Sequence, residues 1–247
     1  MTTLLQQADR FARVQGSPGE QPRLRGLLRV LLPVLGVAAG AGLLLGALLP
    51  VPRVSLTLAG LGLIGLAGLL AVTLRFSQRQ LADFIKGARG EEGVARILGL
   101  LPAAYDVFHG LAITPERGTP TGDLDHVIVG PNGVFLVETK NWAGPITVSD
   151  GRILYDGREP DRAPLEQVNR AADALRALLR SACQGAVPVQ PIVCFSAGET
   201  PAKPLGASGA LVCRDRHLLG VIEEHADTRI KPALQARIVA CLSAQVV

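Results

Sequence analysis

At 247 residues the chain has room for one medium domain and an appendage, not for several domains. Its 48% hydrophobic content and mean hydropathy of +0.32 are high for a wholly soluble protein, and the surplus lies near the N-terminus. The net charge of +4 does not define a bulk-charge nucleic-acid binder. Six of 25 basic residues (Arg10, Arg13, Arg23, Arg25, Arg29, Arg53) and two of 21 acidic ones (Asp9, Glu20) precede residue 75, and the remainder balances at 19 of each. A local basic groove could still draw on Arg152, Arg158, Arg162, Arg170, Arg176 and Arg180, although Arg176 and Arg180 also suit the solvated face of a helix.

In chain order, residues 1–26 form a short basic segment. Residues 27–75 hold two uncharged apolar runs, 30–51 and 54–74, each able to span ~30 Å of hydrocarbon as a helix of about 20 residues. The short connection Pro50-Val51-Pro52-Arg53 predicts an antiparallel transmembrane helical hairpin. A signal peptide fits poorly, because the first run is too long and a second follows at once. A hairpin buried in a globular core is the alternative. Arg10, Arg13, Arg23, Arg25 and Arg29 precede the first run, and Arg75, Arg79, Lys86 and Arg89 follow the second. The positive-inside rule then predicts a multi-pass protein of the cell membrane with both termini and the C-terminal domain in the cytoplasm. Gly36-x-x-x-Gly40 and Gly42-x-x-x-Gly46 could bring helices close, or simply reflect Gly/Ala/Leu richness.

Residues 76–247 follow an α/β pattern. The periodicity predicts a helix over 81–100 that continues out of the second apolar run, a strand over 104–113 and a turn-rich loop over 114–122. A β-hairpin over 123–140 follows, then short strands around 145–148 and 152–155. A helix starts at Pro164 and runs to about residue 182, with Leu165, Val168, Ala172, Leu175 and Leu179 at helical spacing. Strands over 189–195 and 210–213 and helices over 215–224 and 232–244 complete the chain. Cys183, Cys194, Cys213 and Cys241 show no C-x-x-C spacing and fit a reducing compartment. His109, His126, His217 and His225 form no zinc-ligand pattern.

The chemistry concentrates in the hairpin. Val127–Val129 and Val134–Val137 flank Gly130-Pro131-Asn132-Gly133. A turn centred between Pro131 and Asn132 puts Asp125 opposite Glu138 and Asp123 opposite Lys140. Opposed residues share a face with Cβ atoms ~5 Å apart, and Glu138 and Lys140 share one because strand side chains alternate. Two carboxylates so close repel unless a proton or cation lies between them, and oxygen ligands of this kind suit Mg²⁺. A solvated hairpin end with a surface Glu/Lys pair is the alternative. His126 points to the other face and reads as structural.

Asp…Glu-x-Lys on an antiparallel hairpin resembles the core of the PD-(D/E)xK nuclease superfamily, and the wider stretch resembles its NERD (nuclease-related) domain. Gly87-x-x-Gly90-Glu91-x-x-Val94 is similar to that family's opening helix motif, Asp125-His126-Val127 to its DHV strand, Gly133–Asn141 with Gly144 to its strand bearing E-x-K, and Pro164-x-x-Gln167 to its next helix start. The resemblance covers roughly residues 86–195. It implies a restriction-endonuclease-like mixed sheet flanked by helices. It also implies a metal-dependent nuclease acting on DNA or RNA, which the two apolar runs would tether to the membrane, with Mg²⁺ or Mn²⁺ held by Asp125, Glu138 and the Thr139 carbonyl. By the same resemblance Lys140, Glu91 and Gln167 are catalytic positions. Lys140 orients water or stabilises charge, and Glu91 serves a second metal or positions the first. Gln167 orients Lys140 or the phosphate, or makes a purely structural helix–sheet bond. The chain departs from relatives with a Q-x-x-x-Y helix by carrying Ala171, and from those with an early acidic residue by carrying Ala88. A non-catalytic binding or scaffold module anchored to the membrane is the alternative function.

Overall fold

The computed structural model describes residues 10–48, 56–113, 123–161, 163–200, 203–226 and 228–246. The expected loop over 114–122 lies outside them. The chain divides into two compact units: Pro22–Lys86, and a unit joining the N-terminal residues through Gln21 to Gly87–Val247.

The Pro22–Lys86 unit consists of α1 (Glu20–Leu48) and the first part of α2 (Leu56–Leu98), which continues into the other unit. Their Leu/Gly/Ala-rich stretches are uncharged over residues 30–48 of α1 and 56–74 of α2. Leu32, Leu35 and Leu43 on α1 and Leu61, Ile64 and Val72 on α2 are exposed. Among the described residues one window, Gly26–Leu43, is long and apolar enough to cross a membrane. The second expected run, 54–74, is described from Leu56 onward as part of α2 and supplies no second such window, so the expected two-span hairpin is not supported there.

The other unit is a large mixed sheet flanked by helices. Its strands are β1 (Arg13–Gln15), β2 (Asp106–Ala112), β3 (Asp123–Gly130), β4 (Gly133–Lys140), β7 (Val189–Phe195), β8 (Leu205–Ala207) and β9 (Ala210–Arg214). Their order is β1-β2-β3-β4-β7-β9-β8, with a separate hairpin of β5 (Ile146–Ser149) and β6 (Arg152–Tyr155). Neighbours β2, β3 and β4 run antiparallel, whereas β4, β7 and β9 run parallel. The crossover from β4 to β7 carries α3 (Pro164–Cys183), which starts on proline and ends at Gln184 in the left-handed region. A short 3₁₀ turn leads into α4 (Leu218–Glu223), and α5 (Pro232–Ser243) closes the chain.

Strand alternation divides the core into two layers. Val127, Val129, Val134 and Leu136 pack under Val168, Leu175 and Leu179 of α3 and Ile238 of α5. Ile128, Phe135 and Val137 pack on the other face with Val94 and Leu98 of α2 and Leu218 and Ile222 of α4. With both faces covered, β4 is buried along its length until Lys140. The hairpin turn is fixed by Tyr105, whose hydroxyl donates to Asn132 Oδ1 at 3.0 Å, and by Asn132 Nδ2, which donates to the Ile222 carbonyl at 2.5 Å.

Two elements depart from expectation. Residues 13–15 of the N-terminal segment form an unexpected edge strand: β1 pairs in parallel with β2, and its Arg13 makes a two-pronged ion pair with buried Asp106. β8 is an added three-residue edge strand on β9.

Candidate active site

The hairpin register is the expected one, running from Gly130↔Gly133 to His126↔Val137. It stops there, so neither the expected Asp125–Glu138 pair nor the expected Asp123–Lys140 pair forms; on its other side Asp123 pairs with Ala112 of β2. The break has a local cause. Phe108 and Leu111 lie in the same core layer, as do Leu124 and Val127. Residues three apart on one face require both strands to lose their alternation between them. The fault falls at Gly110 and Asp125, the pair skipped in the β2–β3 ladder, and Gly110 adopts φ 61.

Released from both ladders, Asp125 turns its side chain to β4. Its Oδ2 accepts the Thr139 amide at 2.7 Å. The continued register would have given that amide to the Leu124 backbone. A strand residue directs its N–H and C=O to the same side, so the Thr139 carbonyl also faces the Asp125 side.

Glu138 and Lys140 project toward α3. Lys140 Nζ donates to Glu138 Oε1 at 2.6 Å and to Gln167 Oε1 at 2.9 Å, and Gln167 Nε2 donates to Glu138 Oε1 at 2.6 Å. The three side chains close a ring, with Glu138 buried and Lys140 and Gln167 half-buried. Gln167 therefore holds the lysine and the glutamate together, because its amide offers one acceptor and one donor edge.

Glu91 arrives from α2, packed on the opposite face. Gly90 makes that approach possible: a Cβ there would lie 2.8 Å from both Asn141 Cβ and Ser196 Oγ, at the ends of β4 and β7. The buried Ser196 hydroxyl at this contact has no hydrogen-bond partner. Burial first, and then the Glu138 charge, pushes Glu91 up to about 7, against the Gly19 amide and Lys140. Asp125 is half-buried, with its carboxylate turned in against the Thr139 amide. Burial, then Glu138 and Glu91, holds it well above the usual carboxylate range.

Every expected site residue, Glu91, Asp125, Glu138, Thr139, Lys140 and Gln167, thus falls in one neighbourhood. Three carboxylates face one lysine, an imbalance that a divalent cation would offset. The donor set is hard oxygen throughout, which fits Mg²⁺ or Mn²⁺. Among the described residues no three His, Cys, Asp or Glu side chains form a ready cage. The set that fits is two carboxylates and a backbone carbonyl.

Beneath the site, His126 Nδ1 lies 2.8 Å from His109 Nδ1, and its Nε2 lies 3.2 Å from Thr139 Oγ1. Burial, then His109, holds His126 well below its ordinary range, and burial alone brings His109 to about 4. Neutral rings can share one proton along this chain and fix the face of β4 opposite Glu138. The pairing of His109 with His126 was not evident from the sequence; the β2–β3 register is what brings them together.

A large mixed sheet flanked by helices, with an acidic pair and a lysine at the end of its hairpin, is consistent with a nuclease-like α/β fold. Residues 86–196 match the family described as NERD, the nuclease-related domain. The chain is also similar to an uncharacterized protein of Bacillus anthracis, with 42% identity over 66 residues. That match covers 26% of this chain and 31% of the relative, so the chain spans about a third of that protein. No solved structure matches the chain significantly.

Proposed function

We propose that this chain is a membrane-tethered, metal-dependent nuclease that hydrolyses phosphodiester bonds in DNA or RNA. The observation that carries the reading is the Glu138–Lys140–Gln167 ring closed beside Asp125 and Glu91. Asp125, Glu138 and the Thr139 carbonyl would hold Mg²⁺ or Mn²⁺. When bound, the cation supplies Lewis-acid polarisation of the phosphate and a lowered pKa for water. Lys140, fixed by its two acceptors, orients the attacking water or stabilises the developing negative charge. Gln167 keeps Lys140 aimed, and Glu91 positions the cation or a second one.

For the anchor we propose two spans, 30–51 and 54–74, with both termini and the domain in the cytoplasm. Exposed leucines along α1 and α2 support burial in lipid.

A binding module on the same scaffold is the second reading. It is favoured by Ala171, which is buried in the core, and by the balanced charge beyond residue 75. Full-length protein in detergent, incubated with labelled DNA and RNA and with Mg²⁺, Mn²⁺ or EDTA, separates the two. The nuclease reading expects cleavage with metal and none with EDTA. Absence of cleavage with every metal by folded protein favours the module.

A further inference from the structure

We infer that the turn Gly16-Ser17-Pro18-Gly19, which precedes the first apolar helix and lies outside residues 86–196, is a positioning element of the active site that holds Glu91 in place through the Gly19 amide. The inference rests on the nuclease reading above.

The turn is built to fit. Ala12 donates its amide to the Leu101 carbonyl at 2.8 Å, and Arg13 to the Tyr105 carbonyl at 3.1 Å. β1 then follows β2 from Asp106 to Phe108. This register delivers residue 16 onto residue 109. Gly16 has φ 83, and a Cβ there would lie 2.2 Å from the His109 carbonyl oxygen. Only glycine permits that approach. The Ser17 carbonyl oxygen next lies over Gly110, 3.2 Å from where a Cβ would stand. Gly110 is the left-handed residue at the fault opposite Asp125. Gly19, at φ 71, ends the turn against Ala88 and donates its amide to Glu91 Oε2 at 3.1 Å. One short turn therefore touches the backbone that frees Asp125 and the carboxylate of Glu91. Glu91 sits one residue after Gly90, on a helix closely packed against β4 and β7, so its side chain is the part left to be fixed.

The test uses full-length protein in detergent and Mn²⁺ alone as probe, read by electron paramagnetic resonance. Gly19→Ala must leave φ 71 or displace Ala88, so it should weaken Mn²⁺ binding by about tenfold, within the 10–100-fold range for outer-shell partners. In a Glu91→Gln background the same substitution should have no further effect. If wild type binds Mn²⁺ and Gly19→Ala binds it equally well, the positioning role is overturned while the nuclease reading stands. If wild type binds no Mn²⁺, both fall. Should Gly19→Ala fail to fold, hydrogen exchange in Glu91→Ala examines the same bond from its other end. The Gly19 amide should exchange at least about tenfold faster than in wild type, and an unchanged rate overturns the inference.

Discussion

At the residue scale, the site is a contest between burial, repulsion and hydrogen bonding. Asp125→Asn and Glu138→Gln keep shape and a side-chain oxygen that accepts a hydrogen bond while removing charge. Both should abolish metal-dependent cleavage by orders of magnitude with folding retained, measured by turnover and by melting temperature. The metal-free Asp125→Asn variant should melt no lower than wild type, because a repulsive charge is gone, whereas Glu138→Gln also loses the ion pair with Lys140. Gln167→Ala opens the ring yet leaves the Glu138–Lys140 pair, so cleavage should fall by about 10–100-fold, the usual cost of losing an outer-shell partner. The pH dependence has a definite sign. Glu91 rises from 4.5 to about 7 on folding, and Asp125 also rises. Protonation therefore favours the folded, metal-free protein. That contribution is full below about 4.5 and is lost as pH climbs through about 7. Melts across this range should show it, and saturating Mg²⁺ should flatten the decline.

At the element scale, the close approach of α2 to the ends of β4 and β7 depends on Gly90. Gly90→Ala places a methyl 2.8 Å from Asn141 Cβ and Ser196 Oγ. Overpacking of this kind costs roughly 1–3 kcal/mol, and displacing the helix also moves Glu91, so stability and turnover should fall together. The hairpin was legible in the sequence because apolar runs flank Gly130-Pro131-Asn132-Gly133, and a turn centred between Pro131 and Asn132 sets the register found. Continued, that register would set Asp125 opposite Glu138, a pair the ladder does not reach. Its end at His126↔Val137 was not legible, since the fault depends on Gly110 of a different strand. β1 was hidden for another reason. A three-residue strand has no readable period, and its partner β2 lies about ninety residues away, so only the tertiary pairing defines it. The Gly19–Glu91 bond follows from that pairing and was equally invisible.

At the scale of the whole molecule, the fold puts the beginning of the first apolar helix and the opening motif of the nuclease-related region in one compact unit. The proposed topology expects a reporter at either terminus on the cytoplasmic side and one inserted at 51–53 on the opposite side. A monodisperse full-length protein without detergent would overturn it. The balanced charge beyond residue 75 means that affinity for nucleic acid must come from local contacts and bound cation, so cleavage is a sharper probe than binding. The central claim is that Asp125, Glu138 and Lys140 form a hydrolytic metal site. The most direct measurement compares cleavage of labelled DNA and RNA by wild type and Glu138→Gln, prepared identically, with Mg²⁺ or Mn²⁺ and with EDTA. The account predicts cleavage by wild type with metal, none with EDTA and none by the variant. Folded wild type that cleaves neither substrate and gains no stability from Mg²⁺, or a Glu138→Gln protein that cleaves as fast as wild type, would contradict it.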